Sequence, residues 1–569
     1  MQGKAVRPMS PSGRKTGEYG TAVRPWQGTG NKFHFYCNPK KYEIRYRAWI
    51  FSNGDGKLGK RGNTMDQEGK TANKPAYGII AVLLIGAFIT FLNNTLLNVA
   101  LPSIMEDLKV GPSTVQWVTT GFMLVNGIMI PTTAFLIQKY SVRQLFLWAM
   151  GLFTLGTVIA GFAHAFPLLL AGRMIQASGS AIMMPLLMNV MLVSFPVSRR
   201  GAAMGVFGLI LMFAPAIGPT LSGWIVEHFD WRALFHLVTP LAAVILITGG
   251  VLLKDKRKET DIRLDILSLL LSSVGFGSLL YGFSTAGSHG WSDPQVYVTI
   301  LIGVVTLTVF TFRQFKLERP MLNFRVYQYP MFTLASAITI IVNMAMFSGF
   351  LLLPIYAQTI LGISPMDTGL MLLPGAIINA LMSPINGRLF DRIGGRILAV
   401  IGLATVTVST YLFSKLSMDT SYHQLMLLHA VRMFGMSMVF MPVSTNGLNQ
   451  LPVHLYPHGT AMNNTLNQVS AAIGTALLIT VMSNRTEYHA KELAQNAVHL
   501  AAKGISISKE QIAQEAMLGG IRDAFFVSAL LTLAALFLAF FIKRAKGPAD
   551  SAEKHPKKGM PDTQKALSN

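Results

Sequence analysis

Charge is what this chain has least of. Only 13% of its 569 residues are Asp, Glu, Lys or Arg, about half of what a soluble protein carries, which excludes an ordinary water-soluble domain. A single cysteine, Cys37, excludes a disulfide framework and a cysteine-based metal site. A complete nucleotide-cradling Gly-x-x-x-x-Gly-Lys-Ser/Thr loop, a metal-ligand cluster and a nucleophile constellation are also absent, so neither an enzyme nor direct ATP drive is expected, and no cofactor or metal. Acidic side chains are missing from the middle of every long apolar run: Glu227, Asp265, Asp367 and Asp523 all lie at run ends.

What is present is a series of apolar segments, each near the roughly 20 residues that one bilayer crossing requires. Fourteen are counted, at 77–101, 115–137, 145–163, 168–194, 202–226, 233–253, 264–283, 296–312, 331–358, 369–389, 397–414, 425–448, 460–482 and 523–542. Lys and Arg accumulate in cytoplasmic loops, and the alternate loops test the count. One set holds sixteen, from Lys139 and Arg143 to Arg392 and Arg396; the other holds three, Lys109, Arg232 and Lys415, or eight with the longer segment before the last span. That asymmetry predicts an even number of crossings of the cell membrane with both termini cytoplasmic.

The net charge of +22 invites a nucleic-acid reading, but residues 1–64 alone hold thirteen Lys/Arg and three acids, and most of the rest is the topology signal. No nucleic-acid partner is expected. Translation is expected to start at Met65, because Lys60-Arg61-Gly62 can be encoded by purine-rich codons resembling a ribosome-binding site. The rival reading of this leader is a disordered basic tail touching anionic lipid.

An internal repeat links the fourth and twelfth spans, where Arg173-Met174 leads to Met184-Pro185 and Arg432-Met433 leads to Met441-Pro442. Repeats of this kind are common in secondary transporters. The chain then divides into a leader (1–64), a six-helix half (77–253), a charged linker with an inserted two-helix hairpin (254–328), a second six-helix half (329–543) and a tail (544–569). The segment from Asn484 to Gly520 alternates Ala/Leu with Lys/Glu/Gln, which predicts a short amphipathic helix on the outer surface.

Four motifs resemble those of the fourteen-helix drug:proton antiporters of the major facilitator superfamily, over roughly Tyr77 to Arg544. They are the first-span string Leu92-Asn93-Asn94-Thr95 to Pro102, and Arg173-Met174-Ile175-Gln176-Ala177-Ser178-Gly179 in the fourth span. In the fifth span come Gly205, Ala214, Gly218, Pro219, Ser222 and Gly223, similar to the antiporter motif with Ala214 and Ser222 replacing two glycines. The last is the cytoplasmic loop signature Gly387-Arg388-Leu389-Phe390-Asp391-Arg392-Ile393-Gly394-Gly395-Arg396. The asparagine version of the first helix is similar to bacterial lincosamide-resistance exporters.

The resemblance implies an all-α membrane protein of the major facilitator fold. It also implies a monomeric, proton-driven exporter of amphiphilic small molecules that works by alternating access. Gating or coupling then falls to Arg173, Arg432, Gly218, Pro219, Gly387, Asp391 and Arg392. The substrate cavity falls to Asn93, Asn94, Asn98, Asn343 and Met184, amides and an adaptable thioether in otherwise apolar helices. Two features depart from the family. The loop between spans 2 and 3, Ala134 to Ser141, lacks the signature Gly and Asp, and Asn93 stands where an aspartate is common. A metabolite facilitator or exporter without proton coupling accommodates the missing carboxylate. A transporter-like sensor would need a sizeable soluble domain. His236 and His429 fall within spans and could replace the carboxylate.

Overall fold

The computed structural model describes residues 77–253, 264–501 and 508–544; the expectations for the leader, the Lys254 to Arg263 linker and the tail beyond Arg544 lie outside them. All the regular structure described is helical. The first half contains α1 (Tyr77–Leu108), α2 (Trp117–Lys139), α3 (Val142–Gly161), α4 (Phe166–Ser194), α5 (Arg200–His228) and α6 (Ala233–Leu252). The hairpin is α7 (Ile266–His289) and α8 (Pro294–Lys316). The second half contains α9 (Pro330–Ile360), α10 (Pro365–Ile393), α11 (Gly395–Phe413), α12 (Tyr422–Asn449), α13 (Tyr456–Ala501) and α14 (Lys509–Ala539). Fourteen helices among the described residues are long and apolar enough to cross a membrane.

Local chemistry sets the boundaries. Ser141 and Ser508 close capping boxes with Gln144 and Gln511 at the starts of α3 and α14. Pro294, Pro330 and Pro365 occupy first helical positions, where a missing N–H costs nothing. Between α10 and α11 the chain turns at Gly394, whose φ of 86° suits glycine. The helix α9 contains two π-turns, Ser348–Leu352 and Tyr356–Ile360, and α12 is interrupted between Ser437 and Phe440.

Helix pairing repeats between the halves. In the first, α3 packs on α4; in the second, α11 packs on α12. Both contacts are backbone-close: a Cβ on Gly156 would fall 2.8 Å from the Gln176 Cα, and one on Gly402 would fall 2.7 Å from the Gly435 carbonyl oxygen. The halves meet chiefly where α5 lies along α10, and α7 packs against both α2 and α13. Burial distinguishes centre from rim: the most apolar window of α4 is 72% buried and that of α8 only 17%, which puts α8 on the outside, facing lipid.

One expectation is corrected. The segment from Asn484 does not form a separate surface helix; α13 continues unbroken to Ala501, and α14 begins at Lys509. No Gly or Pro lies between Gly474 and Gly504 to stop the helix. The extension packs on α14 instead, where Gly519 and Gly520 lie against His489 and Thr486 and the Arg485 Nε and the His489 ring both meet Asp523 Oδ2, at 2.5 and 3.0 Å.

Candidate functional site

The loop signature ends α10 beside the start of α5. The Asp391 carboxylate accepts hydrogen bonds from the backbone N–H of Gly201 at 2.8 Å and of Ala202 at 2.9 Å. These N–H groups belong to the first turn of α5 and have no partner within the helix, so a carboxylate there satisfies donors and meets the positive end of the helix dipole. The backbones come this close because Gly387 faces Gly201 and Gly205: a Cβ on Gly387 would lie 3.0 Å from the Gly205 Cα. Arg388 and Arg392 are exposed. The part of the signature that bonds across the halves is therefore its glycine and aspartate.

Two further contacts join the halves at this end, neither legible in the sequence. Buried Arg200 donates to Asn449 Oδ1 at 3.1 Å and to the Tyr456 hydroxyl at 2.8 Å, with its guanidinium over the Tyr456 ring. His458, buried at the start of α13, lies 3.2 Å from Gln138 Nε2 on α2 and accepts from the Asn323 N–H at 3.1 Å. The partners stand 249, 256 and 320 residues apart in the first three of these pairs. The only local signal was a cation at Arg200, which counted merely as loop charge.

Deeper in the helices lie the two buried arginines. Arg173 donates to Gln176 Oε1 at 2.6 Å and to Asn94 Oδ1 on α1 at 3.4 Å, and its guanidinium covers the Phe122 ring of α2 at 4.2 Å. Gln176 in turn donates to Thr157 on α3 at 2.7 Å, so Arg173 draws α1, α2 and α3 onto α4. Arg432 uses the first π-turn of α9, donating to the Ala345 carbonyl at 2.8 Å and to Ser348 Oγ at 2.9 Å. Ser528 on α14 donates to Ser348 Oγ at 2.9 Å. The Ala345 carbonyl also accepts from the Ser348 backbone N–H and from the Ser348 and Ser528 hydroxyls, so Arg432 joins a shared acceptor, and Gly349 leaves room for the guanidinium: a Cβ there would meet Arg432 Cζ at 3.0 Å. Neither arginine faces a carboxylate, so both charges rest on neutral dipoles and an aromatic face.

In the Gly/Pro string of α5, a Cβ on Gly218 would fall 2.8 Å from Thr95 Cβ on α1, whereas Gly223 borders open space. Gly218 therefore sets the α1–α5 distance. The side chains of Pro219 and Asn98 lie outside the described residues. Of the remaining cavity candidates, Asn93 is buried with its Nδ2 unpartnered, and Asn94 serves Arg173. Asn343 donates to the Thr339 carbonyl and to Asn467 Oδ1, both at 2.9 Å, tying α9 to α13. Met184 is half-buried against the apolar core of the first half.

Two six-helix halves, an inserted hairpin, and buried arginines at matching places in each half define a multi-pass membrane transporter rather than an enzyme. The sequence profile of the Major Facilitator Superfamily matches residues 83–475. An uncharacterized MFS-type transporter of Bacillus subtilis, YcnB, is 47% identical over 83% of this chain and 96% of its own length. The lincomycin resistance protein LmrB of the same organism is 41% identical over 82% of this chain and 96% of its own. The crystal structure of the human organic anion transporter MFSD10 matches 82% of this chain and all of its own with a TM-score of 0.57, at 13% identity, a likeness of fold alone. The chain belongs to the major facilitator superfamily and is, like the proteins it matches, a transporter.

Proposed function

We propose that this transporter is a proton-driven multidrug exporter of the cell membrane, monomeric, with both termini cytoplasmic, moving bulky amphiphilic molecules by alternating access. The observation that carries the alternating-access part is the bonded seam at the basic end, where Asp391, Arg200 and His458 join the halves at once. The excess of Lys and Arg there supports assigning it to the cytoplasm, so the described state is closed inward. Residues 77–253 and 329–543 would rock about α5 and α10, whose glycine contact forms the pivot.

Export of drugs is supported by the printed names of the relatives: LmrB is a lincomycin resistance protein, and a Mycobacterium tuberculosis relative, 27% identical over 80% of this chain, is a multidrug resistance protein. The buried amides of Asn93 and Asn343 and the half-buried Asn94, with Met184, favour a polar but uncharged cavity. A facilitator without proton coupling is the second reading, favoured by Asn93 and by the absence of acidic residues from the span interiors.

The test is expression in an efflux-deficient bacterium. Lower lincomycin and ethidium accumulation than in cells carrying Arg173→Ala supports export. Equal accumulation of both compounds, with the protein present in the membrane, rejects it.

A further inference from the structure

Proton drive, the reading on which this inference rests, needs a side chain that gains and loses a proton inside the membrane. Asp523, the carboxylate furthest inside a described candidate span, is tied to Arg485 and to His489, and His228, His289 and His423 stand at helix ends; three other histidines of the described helices then come into question. His236 is exposed on the first turn of α6, edge-on to Phe162. His458 has both ring nitrogens engaged, one with Gln138 and the other with the Asn323 N–H. His429 differs from both: it is 2% exposed, and its Nδ1 has no partner.

His429 stands seven residues into α12, about 10 Å along its axis, and three residues before Arg432, so the two share a helix face. Across from it α10 presents Gly375, where a Cβ would fall 3.1 Å from the His429 Nε2. A site shaped to admit the ring leaves no room for a larger residue at 375. Arg432 is the charged group facing His429, and the packed elements add none. The helix α9 has no Asp, Glu, Lys, Arg or His from Pro330 to Ile360. The same holds between Asp367 and Arg388 in α10, from Ile397 to Ser414 in α11, and between Asp523 and Lys543 in α14.

We propose that His429 is the proton carrier of this transporter. The step is the gain of one proton by the free ring nitrogen on one side of the membrane and its loss on the other, with no other bond made or broken. A proton on His429 puts a second positive charge one turn from Arg432 in a dry setting. Proton uptake and the Arg432–Ser348 packing therefore compete. Uptake loosens the hold of Arg432 on the π-turn of α9, and release restores it. The broken ladder of α9 at Ser348–Leu352 is the element that yields.

The full chain, reconstituted in liposomes containing a pH-sensitive dye, reports lincomycin-driven proton movement, gradient-driven lincomycin accumulation and lincomycin exchange at equal pH. We expect His429→Gln to lose the first two and keep exchange. His429→Glu should regain accumulation with its pH profile moved to lower pH, and His236→Gln should behave as wild type. Accumulation by His429→Gln at the wild-type level overturns the assignment. So does loss of exchange along with accumulation, which marks a structural role. A wild-type protein indifferent to the gradient overturns instead the proton-drive reading beneath it.

Discussion

The Asp391 carboxylate lies 2.8 Å from the Gly201 N–H and 2.9 Å from that of Ala202, so the end of α10 caps the start of α5 across the boundary between the two halves. Under the alternating-access proposal, a contact this specific forms in one of two states and biases the population towards it.

Asp391→Asn keeps the shape but removes the charge and weakens the cap, at about 1 kcal/mol or roughly a fivefold change in population. Spin labels at Ser198→Cys and Arg396→Cys, both exposed, should show a larger share of long distances in the variant. An unchanged distribution means that the carboxylate does not hold this end closed.

Within the Gly/Pro string of α5, packing distinguishes Gly218 from Gly223. Gly218→Ala drives a methyl against Thr95, an overpacking of about 1–3 kcal/mol, and should abolish drug accumulation differences while the protein still reaches the membrane. Gly223→Ala, which meets nothing within 4 Å, should transport normally. Equal effects of the two would remove close α1–α5 packing as the reason for the string.

Gly349→Ala should reproduce the transport defect of Arg432→Ala, because the new methyl occupies the place of the guanidinium. Transport at the wild-type rate by Gly349→Ala would show that Arg432 can leave the π-turn without consequence.

The hairpin carries a pH-dependent tie. Arg313 donates to both Asp265 oxygens at 2.9 and 3.0 Å, and this bond first, with help from Ser268, lowers the Asp265 carboxyl from 3.8 to about 2. The depressed value in the folded state means that the tie stabilises fully above the unfolded carboxylate range and is lost as pH falls through about 2. Asp265→Asn should therefore melt below wild type in detergent at pH 7, by a difference that shrinks as the pH is taken below 4. A difference independent of pH would point to shape rather than charge.

Much of this was legible from the chain because a bilayer imposes a simple demand. A helix that satisfies its own backbone needs about twenty apolar residues, and all fourteen spans announce themselves that way. Arg173 and Arg432 stood out for the same reason, as charges where charge is costly. The end of α13 was misread because amphipathic alternation fits a surface helix as well as an extension that packs on α14, and only the missing Gly or Pro before Gly504 told them apart. The seam at the basic end was hidden because Arg200 meets Asn449 and Tyr456, and Gln138 meets His458, only after the halves have folded together. In the loop signature, Asp391 stood out by its spacing, but its partners did not: the backbone N–H groups of Gly201 and Ala202 leave no mark in residue identity.

The most direct test of proton-driven export is lincomycin uptake by inside-out membrane vesicles under an imposed pH gradient, with Arg173→Ala vesicles as control. The account predicts uptake that requires the wild-type protein and collapses when an ionophore dissipates the gradient. Uptake that persists unchanged after the gradient is gone would contradict it and leave a facilitator.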